Sequence, residues 1–145
     1  MKQAVESHRG VLRVVAVTAF SLALYSGLAL GENIKVTLSG DQEVPAVKTS
    51  ASGSGTITVN DDKSVSGSVK TTGVEGTMAH IHEAPAGKNG PVIIPLKKSG
   101  DNTWSVPAGA KLTDDQYKAF KDGDLYVNVH SDAHKAGEIR AQIKP

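Results

Sequence analysis

The sequence predicts an all-β domain, a Greek-key sandwich or barrel of about eight short strands with one short helix. Three observations carry that expectation. Beyond residue 31 the chain is rich in Val, Thr, Ser and Gly, and aromatics make up only 4% of it, a composition suited to short strands and tight turns. Apolar and polar residues alternate over several short spans, each bounded by Gly, Asn, Asp or Pro clusters. Only one stretch carries the signals of a helix.

The elements follow in order. Ile34, Val36 and Leu38 alternate with Lys35 and Thr37, and Gly40-Asp41 ends this first strand. Gln42 to Gly53 holds a proline and a run of small polar residues, and reads as a loop. Ser54 to Asn60 and Ser64 to Thr71 alternate around Asn60-Asp61-Asp62-Lys63 and form a hairpin. Thr77 to Glu83 is the next strand, and Ala84 to Gly90 turns. Pro91 to Leu96 follows as an edge or bulged strand because it contains Pro95. Lys97 to Asn102 reads as a turn and Thr103 to Val106 as a short strand with the single Trp. Thr113 to Phe120 is the helix, with Thr113 as N-cap and Asp114 and Asp115 in its first turn. Gly123-Asp124 closes it, and two strands, Leu125 to His130 and Gly137 to Ile143, complete the domain.

Residues 1–31 read as a signal peptide and 32–145 as the domain. Lys2, Arg9 and Arg13 precede an uncharged run from Val14 to Leu30, and Ala29 and Gly31 put small residues at the two positions a signal peptidase reads. The expected location is therefore periplasmic or secreted, with no membrane association after cleavage; the alternative is an uncleaved anchor. There is no cysteine, which excludes disulfides, thiolate metal sites and a thiol nucleophile. Removing three bases and one acid with the leader from totals of 16 and 15 leaves 13 basic and 14 acidic residues. Such a balanced chain has no electrostatic footprint for nucleic acid.

The candidate chemistry lies in the histidines. Alternation places Met78, His80 and His82 on one face of their strand, opposite Ala79 and Ile81. In the Leu125 to His130 strand, Leu125, Val127 and Val129 face the core, so Tyr126, Asn128 and His130 face away from it. An H-x-H pair on a strand sets two imidazoles about 7 Å apart at the backbone, and a third His from a neighbouring strand completes a three-imidazole platform. Imidazole suits copper, zinc, iron and nickel, and a thioether from Met78 would favour Cu(I). His134 and Met78 are the lesser candidates, since a loop His is usually solvated and a Met usually packs. Glu138 and Arg140, opposite Ile139 and Ala141, read as a surface ion pair or as a contact beside the His strand. Ser131-Asp132 next to His130 lacks any nucleophile-elbow context, which excludes a hydrolase triad.

Three stretches together resemble the CHRD domain, a module first named in chordin and found widely in bacterial exported proteins. They are Leu38 to Pro45 (LSGDQEVP), Ala79 to His82 (AHIH) with Gly90-Pro91-Val92, and Leu125 to His130 (LYVNVH) with Gly137 to Arg140 (GEIR). The resemblance covers the whole chain after the leader and implies an extracytoplasmic β-sandwich, in keeping with the expected Greek-key fold, superoxide-dismutase-like or immunoglobulin-like. His80, His82 and His130 match motif positions, whereas Ala141 stands where the family commonly has Gly. The H-x-H strand also resembles the copper strand of Cu/Zn superoxide dismutases, but the disulfide cysteines and an evident zinc subsite are missing. The reading adopted is an exported metal-binding protein, copper first and zinc second, held by His80, His82 and His130. The alternatives are a metal-free structural or adhesive module that binds another envelope or extracellular protein, and a copper-dependent dismutase-like enzyme.

Overall fold

The computed structural model describes residues 30–145, so the segment read as a signal peptide lies, apart from its last two residues, outside the described residues. Nine antiparallel strands form one sheet: β1 (Gly31–Ser39), β2 (Ser52–Asn60), β3 (Val65–Thr72), β4 (Gly76–Glu83), β5 (Val92–Pro95), β6 (Lys97–Gly100), β7 (Thr103–Ser105), β8 (Leu125–Ser131) and β9 (Ile139–Ile143). Their spatial order is β5-β4-β8-β9-β1-β2-β3-β7-β6. The β4–β8, β9–β1 and β3–β7 neighbours are distant in sequence, so crossovers join pairs of consecutive strands into the sheet. β5 and β6 lie at opposite ends of that order yet are separated in the chain only by Leu96. The sheet must therefore curl until its ends approach, giving a nearly closed barrel. At the corner between the halves, β1 and β9 pair only at Ser39 and Arg140.

The alternating apolar residues fill the barrel. Ile34, Val36 and Leu38 from β1, Ile57 from β2, Ala79 and Ile81 from β4, Val127 and Val129 from β8, and Ile139 and Ile143 from β9 are all buried. Each Val, Leu or Ile side chain among them taken from water contributes about 1.5–3 kcal/mol. The helix α1 (Asp114–Asp122) adds fully buried Phe120 to this core. Its expected N-terminus is correct: Thr113 and Gln116 form a reciprocal capping box, and Gly123 ends the helix in the left-handed conformation at φ 80°. Among the described residues no helix is long and apolar enough to cross a membrane.

The all-β expectation holds, with two differences in detail. Lys97–Gly100 is a strand rather than a turn, paired with β7. All four of its residues are exposed, so no one-sided burial left an alternating trace in the sequence; backbone pairing alone makes it. The final strand begins at Ile139, because Gly137 takes φ 130° and interrupts the extended chain before it. Pro95 does sit on an edge strand, as its missing N–H requires. Ala141 pairs regularly with Val127, so the departure from glycine there leaves the backbone undisturbed.

Candidate metal centre

The β4-β8-β9 register builds the site. His80, Asn128 and Arg140 form one cross-strand row, and His82, Tyr126 and Gln142 the next. Met78 pairs with His130. Because cross-strand partners share a face, every one of these side chains points away from the core. The face is nevertheless covered: His82 and His130 are each only 7% exposed, and Arg140 only 1%. The expectation of an outward-facing site is thus right in direction, but loops close over it.

The cover is stapled from below. Arg140 Nη1 donates to Lys88 O (2.9 Å) and Asn89 Oδ1 (3.3 Å), and its Nη2 donates to Pro85 O (3.3 Å) and Gln142 Oε1 (3.1 Å). Its guanidinium carbon lies 3.4 Å above the Tyr126 ring, and the same ring stacks on His82 at 4.7 Å with planes 4° apart. Gln142 Nε2 donates to Ala84 O. Tyr126 Oη accepts from Gly90 N–H at 3.2 Å. The loop Ala84–Gly90 is held at both ends. No ion pair joins Arg140 to Glu138, which instead accepts from Thr49 Oγ1 (2.7 Å) and Ser131 Oγ (2.5 Å). The surface-pair reading fails because the loops bury both residues and their backbone carbonyls and hydroxyls supply nearer partners.

Two backbone carbonyls set the imidazole tautomers. Gly90 O lies 2.9 Å from His82 Nδ1 and Lys135 O lies 2.9 Å from His130 Nδ1. A carbonyl only accepts, so both Nδ1 atoms carry the proton and both Nε2 atoms present a lone pair. His130 Nε2 accepts from His80 Nδ1 at 3.0 Å, whereas His82 Nε2 is buried with no partner among the described residues. A metal-ligating His held by a carbonyl on its far nitrogen has this same arrangement. Burial lowers the pKa of His80 and of His82, and the neighbouring imidazoles add to the effect. The shift favours the neutral form of His80 and His82, the form that binds a cation.

One nitrogen from each of His80, His82 and His130 lies within 4.8 Å of the others. Nitrogens bound tetrahedrally at about 2.0–2.1 Å stand about 3.4 Å apart. The His80 Nδ1–His130 Nε2 pair, 3.0 Å apart, already lies inside that spacing, and the remaining separations, at most 4.8 Å, close by side-chain rotation. The ion would take the place of the proton between His80 and His130, with His80 shifting its own proton to the other ring nitrogen.

His134 is not in this group; it lies on the β8–β9 loop, at the rim of a cavity that opens beside Glu43. Met78 is 49% exposed and stands across the ladder from His130, at the margin of the group. Sequence reasoning missed Glu43, which is 5% exposed. It follows the first strand in a loop with no periodic pattern, and only its place in the LSGDQEVP stretch set it apart. Burial raises the Glu43 pKa to about 7, against the opposing pull of the Arg140 charge and of hydrogen bonds from Asn128 and the Val44 amide. Asn128 and Tyr126 were placed on the correct face without a role.

No curated protein and no solved structure shows significant similarity to the chain. A family model does: the one described as the CHRD domain matches residues 34–143, a span that takes in all nine strands except the first three residues of β1 and every residue of the three-histidine group, and the chain belongs to that family.

Proposed function

We propose that this CHRD-domain protein is exported and binds one transition-metal ion, copper first and zinc second, through His80, His82 and His130. The observation that carries the reading is the buried Nε2 of His82, a lone pair without a partner among the described residues and beside two further imidazoles. Leaving such an atom dry and unpaired costs about 1–3 kcal/mol, a cost that a bound cation removes. An all-imidazole donor set suits copper and zinc and disfavours magnesium and calcium. The charged start, uncharged run and small residues before Glu32 support export, and a site without thiols tolerates an oxidising compartment.

Titration of the metal-free protein with Cu(II) and Zn(II) tests this. Saturation at one ion per chain is expected, and at one hundred times Kd the native state should gain about 2.7 kcal/mol. His82→Ala and His130→Ala should each weaken binding by more than the about 10–100-fold typical of a lost outer partner, and His134→Ala should leave it unchanged. Binding that survives both replacements, or no saturable binding, would overturn the reading in favour of a metal-free interaction module.

A further inference from the structure

Three buried side-chain polar atoms lack a partner among the described residues: His82 Nε2, Asn128 Oδ1 and Glu43 Oε1. They belong to one locus: Asn128 Nδ2 and Glu43 Oε1 crowd the same point beside Gly137, and Asn128 shares a face with His82 one step along the β4–β8 ladder. Gly137 makes the contact feasible: a Cβ there would lie 2.6 Å from Asn128 Nδ2 and closer still to Glu43 Oε1. On its far side Glu43 meets a half-open cavity of about 290 Å³, walled by Val44, Pro45, Val47, Ala133 and Ala136.

The charge balance of this locus is unusual. Arg140 stands near Glu43, yet the hydrogen bonds of its guanidinium go to loop carbonyls and side-chain amides. The carboxyl is therefore buried without an ion-pair partner, and holds a proton in a neutral range where most carboxyls have lost theirs. The other titratable groups that face it are His134 and Lys135 from the cavity rim and His82 beyond Asn128. A divalent ion among the histidines adds two positive charges to a locus that already holds Arg140. The group best placed to offset them is Glu43.

We propose that Glu43 is the proton-exchange group of the metal centre: uptake of a divalent ion by the histidines expels the Glu43 proton through the cavity to solvent, and loss of the ion returns it. The step balances as a neutral carboxyl and a divalent ion giving a carboxylate, the bound ion and one solvent proton. This rests on the three-histidine reading. Asn128 is the positioning residue between the two groups.

Zinc is the probe, because it brings no redox change. Protons released per zinc bound are measured by calorimetry in buffers of different ionisation enthalpy, for the wild type and for Glu43→Gln. With a group near 7, the wild type should release about 0.5 proton more than the variant at pH 7, about 0.9 more at pH 6 and about 0.1 more at pH 8. Equal release by two zinc-binding proteins would overturn the role of Glu43 alone; no zinc binding by the wild type would overturn the metal reading with it. Should Glu43→Gln not fold, the Glu43 carboxyl carbon resonance of the wild type reads the same event. A change from acid to carboxylate on adding zinc at pH 6.5 is expected, and an unchanged resonance would overturn the proposal.

Discussion

Replacing Arg140 with methionine is expected to lower stability by about 3 kcal/mol, roughly 10 °C in Tm for a domain of this size. Methionine fills much of the same volume and adds no charge, so the change tests the hydrogen bonds and the stack rather than a cavity. Lys88 O, Pro85 O, Asn89 Oδ1 and Gln142 Oε1 would lose their donor together. The cation–π contact with Tyr126 would go with them. The solvent side of the Ala84–Gly90 loop is open enough for water to replace some of these donors, which keeps the loss at a few kcal/mol. A second effect follows from the site. Gly90 O fixes the tautomer of His82, so a loosened loop should weaken metal binding as well. Chemical denaturation and metal titration of the same variant check both; a loss under about 1 kcal/mol would mean that Arg140 is not the staple of the cover.

Gly137→Ala is expected to cost about 2–4 kcal/mol. The added methyl would overlap Glu43 Oε1 and Asn128 Nδ2, both on buried side chains. At φ 130° the backbone is also strained for any residue with a Cβ. Relief would require Glu43 or Asn128 to shift, and either movement separates the carboxyl from the histidines. The variant should therefore lose stability in urea unfolding, and any folded fraction should release fewer protons on zinc binding. By contrast, Gly87→Ala meets nothing within 4 Å and carries only the strain of φ 81°, a control for the backbone contribution.

The parts of this fold that follow one-sided burial were legible from alternation. Ala79 and Ile81, and likewise Leu125, Val127 and Val129, could face only one way, and that placed His80, His82 and His130 on the opposite face. Alternation has no term for long-range cover. It could not show that the Ala84–Gly90 loop folds back, because the donors that hold it, Arg140 and Gln142, lie more than fifty residues away. The same blindness turned a buried clamp into a surface ion pair and hid Glu43, whose burial is created by residues from β8 and β9. Lys97–Gly100 escaped for a different reason: an edge strand exposed on both faces has no pattern to read.

The most direct test of the central claim is anomalous diffraction at the copper edge from crystals of the copper-loaded protein. One peak per chain is expected, bonded to a ring nitrogen of each of His80, His82 and His130, with Gly90 O and Lys135 O still on the far nitrogens of the latter two. A loaded crystal with no peak among these rings, or with its peak at His134, would contradict it.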